Sequence, residues 1–280
     1  MEIIMETRTV DRVWQSKPTI EGAGVHLKRI FGFHDVPRLD PFLLMDDFRS
    51  DKYEDFVSGF PWHPHRGMET ITYVLEGDVE HEDSLGNGGV ISSGDVQWMT
   101  AGNGILHQEM PKGDGKGRMY GFQLWANLPA KDKMMDPRYR DVKNAQIPTV
   151  KVDGGVVRVI SGTVGGVKGP VQDVVIDPEY LDISLTAGSQ FVHAVKPGHN
   201  VFAYVIEGKE NGSLIHFGRT GDSVEFKTEA KPMRFLLISG KPLNEPVAWY
   251  GPIVMNTEAE LKTAFEEYNS GKFIKNSAGA

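Results

Sequence analysis

The alternation of apolar and polar residues predicts β-strands along most of the chain. The clearest case is Thr70–Glu76, where large apolar residues alternate with smaller or polar ones and Gly77 follows directly. This period of two is the signature of a strand that buries one face. The Asn87-Gly88 pair further on favours a tight turn between two strands. We therefore expect an architecture of short antiparallel strands.

Parts of this pattern occur twice. TITYVLEG at residues 70–77 resembles VFAYVIEG at residues 201–208. SSGDVQWM at residues 92–99 resembles RTGDSVEF at residues 219–226, with nearly the same offset. Internal similarity of this kind predicts a duplicated β domain.

The length of the chain suits two such domains. The 280 residues exceed one domain of ordinary size and fit two of similar length. Residues 130–148 are polar and are interpreted as a connector. We therefore predict an N-terminal domain at residues 1–140 and a C-terminal domain at residues 141–280.

The end of the chain predicts a helix instead of a strand. The segment from Thr257 to Glu260 has the form of a capping box. Apolar residues follow it at helical spacing, and Gly271 is placed to end the helix.

Composition and charge exclude several classes of protein. The chain has no cysteine, so any metal must be bound through nitrogen and oxygen. Its formal net charge of −8 argues against general nucleic-acid binding, which depends on phosphate neutralisation. The first residues lack an apolar signal segment, and no apolar run is long enough to span a membrane. We expect a soluble cytoplasmic protein, also nuclear if the source is a eukaryote.

Two pairs of residues are candidate metal ligands. His63 and His65 are two positions apart, as are His107 and Glu109. Side chains at this spacing share one face of a strand, about 6–7 Å apart, so each pair can converge on one ion. A single histidine or carboxylate of this kind is more often an ordinary hydrogen-bonded residue. Two pairs together favour a mononuclear site of three imidazoles and one carboxylate.

The second copy does not repeat these ligands. An ungapped alignment of the two copies places Ala194, Lys196, Arg234 and Leu236 at the four positions. We therefore predict one metal per chain, in the N-terminal domain. His193, His199 and His216 of the C-terminal half form no similar pairs and are interpreted as ordinary histidines.

Three polar groups near these motifs are given structural interpretations. Lys28 and Arg29 are typical of a solvated strand edge. Asp46 and Asp47, at the end of an apolar run, favour a turn over a place in the site. Residues 81–83 are assigned to a hairpin tip.

The motifs resemble those of a known family. HxH, a glutamate, a strand ended by glycine, a hairpin and a second glycine-rich motif with a histidine form the cupin pattern. In its exact residues the chain resembles the pirin family over about residues 10–270. The segments that carry this resemblance are DPFLLMDDF, HPHRGMETITYVLEG, HEDSLGN, GDVQWMTAGNGILHQEMP, GFQLWANLPAKDKM, PRY and GPIVMNT.

This resemblance implies a fold and a ligand set. The fold is all-β, with two tandem cupin jelly-roll barrels and a short C-terminal helix. One metal, usually iron, lies in the first barrel and is bound by His63, His65, His107 and Glu109. Glu69, a ligand in many other cupins, is expected behind these residues instead of at the metal.

The resemblance also implies two functions from different classes. The first is a quercetin (flavonol) 2,4-dioxygenase that uses dioxygen and Fe(II), with Zn, Mn, Ni, Co or Cu as other candidate metals and Glu109 as the catalytic base. Residues 59–62 and Met68 are expected to shape an apolar mouth for the planar substrate. The second is an iron-dependent binding protein or transcriptional co-regulator with a protein partner. We expect a monomer in either case, and an isomerase of phosphorylated sugars is disfavoured because no basic cluster lies beside the motifs.

Overall fold

The computed structural model describes residues 6–275, and these residues form an all-β fold with one α-helix near the C-terminus. The predicted fold class is confirmed. The strands are β1 (Val10–Gln15), β2 (Lys17–Glu21), β3 (Val25–Phe31), β4 (Phe42–Asp47), β5 (Phe60–His65), β6 (Met68–Glu76), β7 (Val79–Asp83), β8 (Gly88–Ile91), β9 (Val96–Thr100), β10 (Ile105–Pro111), β11 (Tyr120–Asn127), β12 (Arg138–Val142), β13 (Thr149–Val152), β14 (Gly155–Ser161), β15 (Thr163–Val164), β16 (Val167–Lys168), β17 (Glu179–Leu185), β18 (Gln190–Ala194), β19 (Asn200–Glu207), β20 (Ser213–Phe217), β21 (Ser223–Lys227), β22 (Met233–Gly240), β23 (Ala248–Tyr250) and β24 (Ile253–Met255). Single 3-10 turns lie at Phe33–Asp35, Tyr53–Asp55, Ala130–Asp132 and Asn144–Gln146, and the helix α1 is Glu258–Asn269.

The chain forms two compact units, each built from more than one stretch of sequence. The N-terminal unit comprises residues 17–38, 42–144 and the described part of 243–280. The C-terminal unit comprises residues 39–41, 145–242 and the described part of 1–16.

These units differ from the predicted boundaries, 1–140 and 141–280, at both ends of the chain. Strand β1 belongs to the C-terminal unit because it pairs with β20. Strands β23 and β24 and helix α1 belong to the N-terminal unit, where Leu261 and Ala264 pack with Ile253 and Met255.

The N-terminal unit is a jelly roll of two antiparallel sheets. The larger sheet has the strand order β12-β9-β6-β11-β4-β3-β2, and the smaller has the order β5-β10-β7-β8. The alternating strand predicted around Thr70–Glu76 is β6, in the middle of the larger sheet. Residues 130–148, predicted to be a connector, also contain β12, which pairs with β9 at the edge of that sheet.

The C-terminal unit repeats this plan in a shorter form. Its main sheet has the order β1-β20-β19-β22-β17-β14-β13, and β18 pairs with β21 apart from it. Apolar residues of the main sheet and of the β18–β21 region fill the core. The β18–β21 region contributes Phe191, Val195, Val224 and Phe226.

The strand order corrects one of the two predicted alignments between the copies. Strands β6 and β19 do hold the same place, beside β11 and β22 respectively. Strand β21, however, pairs with β18 as β10 pairs with β5, whereas the alignment matched it to β9. The cause is the short turn at residues 208–212, which stands where the N-terminal unit has the β7–β8 hairpin. Strand β21 therefore corresponds to β10, the strand that carries His107, and its residues Val224 and Phe226 are buried in the core.

The predicted C-terminal helix and its cap are confirmed. Thr257 Oγ1 accepts a hydrogen bond from the Glu260 amide, and Glu260 Oε2 accepts one from the Thr257 amide. Gly271 follows the helix with a φ of 71°. Within residues 6–275, no helix has the length and apolar character needed to cross a membrane.

Lys133 is buried beside Gly67, the residue just before β6. Its side chain is 1% exposed, and Nζ donates to Gly67 O (2.8 Å), Asn127 Oδ1 (2.6 Å) and Val254 O (3.1 Å). Burial lowers the pKa of Lys133 to about 7, although the charges of Glu245 and Glu260 act in the opposite direction. The folded chain therefore binds this proton less readily than the unfolded chain, whose lysine keeps a pKa near 10.5.

This pKa predicts a stability that depends on pH between 7 and 10.5. Because the unfolded state binds the extra proton in that window, the free energy of unfolding increases as pH rises, by at most about 1.4 kcal/mol per unit. We expect a Lys133→Met variant to lack this dependence. The difference in free energy of unfolding between wild type and variant should therefore change by about 1–3 kcal/mol between pH 7 and pH 9. Urea unfolding at the two pH values measures it, with Lys131→Met, whose side chain is 80% exposed, as the control. An identical slope in wild type and Lys133→Met would refute the assignment.

Candidate metal centre

Three histidine side chains meet inside the N-terminal jelly roll. His63 and His65 lie on β5, and His107 lies on β10 directly opposite His63. The Nε2 atoms of His63 and His65 are 3.0 Å apart, and those of His63 and His107 are 2.9 Å apart. Within the described residues, this trio is the one group of three or more His, Cys, Asp or Glu side chains compact enough to hold a metal ion, with ligand atoms within 4.8 Å of one another. The structure therefore brings together the three predicted imidazoles.

Hydrogen bonds at the far side of two rings determine which nitrogen carries the proton. His63 Nδ1 lies 2.9 Å from Pro61 O, and His65 Nδ1 lies 3.2 Å from Pro252 O. A carbonyl oxygen only accepts, so both Nδ1 atoms carry the hydrogen and both Nε2 atoms present a lone pair. These two lone pairs face each other at 3.0 Å, an arrangement that a cation between the rings would stabilise.

Burial keeps the three rings neutral, which is the form that binds a metal. Desolvation lowers the pKa of His63, and it lowers the pKa of His65 and His107 well below the ordinary value. Neighbouring imidazoles add to this effect at His65 and His107. His107 Nδ1 is buried and has no hydrogen-bond partner among residues 6–275.

Glu109 lies on the same strand as His107 and points into the same interior. Thr72 Oγ1 donates to Glu109 Oε1 at 2.9 Å, and Gln123 Nε2 lies 3.5 Å from Oε2. Glu109 is not part of the compact trio, and a register shift separates it from His107 where β10 pairs with β5. Burial raises the pKa of Glu109 to about 7, although the Thr72 hydrogen bond opposes the shift. Glu109 as the fourth ligand stays a prediction.

The trio opens into a cavity of about 760 Å³. His63, His65 and Glu109 line it together with residues of the larger sheet. Of the residues predicted to shape its mouth, Phe60 and Pro61 line the wall. The other predicted residues, Gly59, Trp62 and Met68, are not among its lining residues. Trp62 is half exposed, and Met68 is buried in a cluster with Leu43 and Val254.

The structure corrects the predictions for Arg29 and Asp46. Both line the cavity, on adjacent strands β3 and β4. Arg29 Nε and Nη2 donate to the two oxygens of Asp46, each at 2.8 Å. Burial raises the pKa of Asp46 to about 6, although Arg29 acts in the opposite direction. Arg29 is therefore not a solvated edge residue and Asp46 is not in a turn, because β4 runs through both aspartates and is buried along its whole length.

One wall of the cavity comes from the far end of the chain. Residues 249–252, the end of β23 and the turn that follows it, line the cavity, and Pro252 supplies the acceptor for His65. Trp125 of β11 packs edge-on against the His65 ring, with centroids 5.2 Å apart, and Trp249 lies behind it at 6.1 Å. No local sequence signal places Trp249 near residue 65.

Two other predictions concern polar residues close to the trio. Glu69 is buried on β6 outside the trio and accepts from Thr100 Oγ1 at 2.6 Å, with a pKa raised by burial. His81 was assigned to a hairpin tip, but it lies within β7, buried and stacked on Tyr139. The predicted hairpin exists, but the Asn87-Gly88 turn is wrong: the positive φ lies at Gly86, and Gly88 already belongs to β8.

The fold and the trio define a cupin with histidines inside its first barrel, and comparison with known proteins agrees. The chain matches the Pirin family over residues 24–126 and the Pirin C-terminal cupin domain over residues 180–274. It is 45% identical to a Pirin-like protein from Caulobacter vibrioides, over 96% of this chain and all of that protein. The chain therefore belongs to the pirin family, as its motifs predicted.

Solved structures show the same fold. Quercetin 2,3-dioxygenase from Acinetobacter baumannii is 33% identical, with a TM-score of 0.88 over 98% of this chain and all of that one. A bacterial pirin from Escherichia coli in complex with nickel(II) is 22% identical, with a TM-score of 0.60 over 82% of this chain and 99% of that one.

Proposed function

We propose that this pirin is a metal-dependent dioxygenase of flavonols such as quercetin. The observation that carries the proposal is the pair of facing Nε2 lone pairs of His63 and His65, at the end of a cavity large enough for a planar three-ring ligand. The likeness to quercetin 2,3-dioxygenase over the whole chain supports the choice of substrate.

The residues that would hold the metal are His63, His65, His107 and Glu109. The nitrogen and oxygen donors fit a divalent first-row ion, and Fe(II) is our choice among Fe, Zn, Mn, Ni, Co and Cu because pirins commonly use it. When bound, the ion supplies a Lewis acid for the substrate's oxygens and a redox partner for dioxygen.

Glu109 is positioned to take a proton from the substrate. A flavonol that enters with its 3-hydroxyl group towards the trio brings that group to the buried Glu109 carboxylate. Thr72 and Gln123 fix the orientation of Glu109 from behind, because the Thr72 hydroxyl lies between the Glu109 and Gln123 side chains. A buried carboxylate held in this way is the chemical type of a general base.

The cavity walls orient a flat ring and exclude water from it. Phe60, Leu44, Trp125 and Trp249 supply apolar surface around the trio. Apolar walls with a few convergent polar groups are the usual design of a small-molecule site. In this design the walls hold the ring plane, and the polar groups select its orientation.

Turnover of quercetin under air tests the proposal. We expect the protein reconstituted with Fe(II) to consume dioxygen and quercetin together, and the metal-stripped protein to be inactive. Cleavage on both sides of C3 releases that carbon as carbon monoxide, so detection of this gas identifies the 2,4-dioxygenase reaction. Stoichiometric metal without turnover of any flavonol would favour the binding-protein alternative.

A further inference from the structure

A row of polar side chains crosses the cavity face of the larger sheet. Arg29, Asp46, Gln123 and Thr72 are successive register neighbours on β3, β4, β11 and β6. Cross-strand neighbours point to the same side of a sheet, and all four residues line the cavity. Thr72 contacts Glu109, so the row begins at the proposed reaction site and ends at Arg29, three strand spacings or about 14 Å away.

The far end of the row is a charged cluster that the proposed reaction does not use. Arg29 Nη2 bridges Asp46 Oδ2 at 2.8 Å and Glu21 Oε1 at 3.0 Å. Asp46 is 5% exposed, whereas Glu21 is half exposed beside it, and both line the cavity. Each carboxylate oxygen can accept two hydrogen bonds, so Arg29 does not exhaust the acceptors of this cluster.

Asp47, at the end of β4, and Arg49 form a second pair, and this pair has a structural role only. Asp47 accepts from Arg49 Nε at 2.8 Å and from Nη2 at 2.7 Å, again as a two-point contact. Asp47 follows Asp46 and therefore points to the opposite face of β4, and neither Asp47 nor Arg49 lines the cavity. The two pairs match in chemistry and burial, but only the Arg29–Asp46 pair faces the cavity.

A donor without a partner within residues 6–275 lies on Trp125, the residue that packs against His65. Trp125 Nε1 is buried in the cavity wall and makes no hydrogen bond within residues 6–275. A buried N–H of this kind is usually satisfied by water or a ligand. The cavity thus offers a donor near the trio, apolar wall in the middle and carboxylate acceptors at the far end.

We propose that Asp46, Glu21 and Arg29 form a subsite for two adjacent hydroxyl groups on the pendant ring of a planar polyphenol. The inference rests on the proposed function, which places the other end of the same molecule at the histidine trio. Each hydroxyl donates to a carboxylate oxygen of Asp46 or Glu21, and Arg29 holds the two carboxylates in place. The subsite thus selects flavonols with a hydroxylated pendant ring over those without.

Equilibrium binding of two ligands tests the subsite. The ligands are quercetin and its analogue with no hydroxyl group on the pendant ring, and the titrations use tryptophan fluorescence of the metal-loaded protein under nitrogen. We expect wild type to bind quercetin at least about 10-fold more tightly, the size of one hydrogen bond to a charged group. We expect Asp46→Asn to remove most of this preference and the control Asp47→Asn to retain it. Equal loss in both variants, or no preference in wild type, overturns the proposal.

A second variant covers the case in which Asp46→Asn does not fold. Glu21 is half exposed, so Glu21→Gln is compatible with folding, and we expect it to reduce the preference about threefold or more. An unchanged preference in Glu21→Gln then counts against the subsite.

The same titrations separate this proposal from the proposed function. Preference for quercetin in binding without any turnover under air supports the subsite and rejects the dioxygenase. Turnover of both flavonols with equal kcat/KM supports the dioxygenase and rejects the subsite.

Discussion

We expect a His107→Val variant to lose its metal and keep its fold. His107 supplies one of only three clustered imidazoles, and its Nε2 is 2.9 Å from that of His63. Its removal leaves two imidazoles and the proposed Glu109 carboxylate, and we expect this reduced set to release the ion on dialysis against a chelator. The fold should survive because β21, the strand that corresponds to β10, already carries a buried valine, Val224. Elemental analysis should find one metal per chain in wild type and background levels in the variant, with little change in melting temperature.

The control for this experiment lies in the C-terminal unit. His193 on β18 is also a buried histidine and lies 3.0 Å from Glu179. We expect His193→Ala to retain the full metal content, since this residue belongs to no compact ligand group within the described chain. Two metals per chain in wild type, or wild-type occupancy in His107→Val, would contradict the assignment of the site.

A Glu109→Gln variant should retain much of the metal but slow flavonol turnover by about 10²–10⁴-fold. The amide oxygen can still coordinate weakly, yet it cannot take up a proton. Glu109→Asp should be less impaired than Glu109→Gln, because it keeps the carboxylate while withdrawing it from Thr72 by one carbon–carbon bond. Metal content and kcat, measured on the same samples, separate the ligand role from the base role.

Glu69 provides the matched control. It too is a buried carboxylate on a strand of the same unit, bound by a threonine hydroxyl, but it does not line the cavity. We expect Glu69→Gln to turn over quercetin at nearly the wild-type rate per bound metal. If Glu109→Gln binds metal and matches the wild-type rate, Glu109 is not the base.

Strand periodicity explains why the centre of the site was predictable. A spacing of two residues fixes which side chains share a face, so HPH alone places His63 and His65 together. The same spacing of His107 and Glu109 marked a second pair, and the family motifs implied the same ligand set. The capping box fixed the start of α1 in the same local way.

The surroundings of the site depend on pairing between distant segments, which a single sequence does not encode locally. The Arg29–Asp46 contact needs the register of β3 on β4, and each residue alone resembles an ordinary surface residue. In the sequence, Lys133 is part of a polar segment that reads as a connector. Its burial depends on contacts with Gly67 and Val254, which are distant in sequence. The alignment of the two copies failed near β21 because residues 208–212 replace a whole hairpin, which a nearly constant offset conceals.

The placement of residues 243–275 in the N-terminal unit determines when the site can form during synthesis. Domains generally begin to fold as they leave the ribosome, in order from the N-terminus. The three histidines emerge well before Pro252, the acceptor for His65 Nδ1, and before Trp249, part of the cavity wall. The surroundings of the trio are therefore complete only after this later segment has been made, and a chain that ends before Pro252 lacks the acceptor that fixes the His65 tautomer.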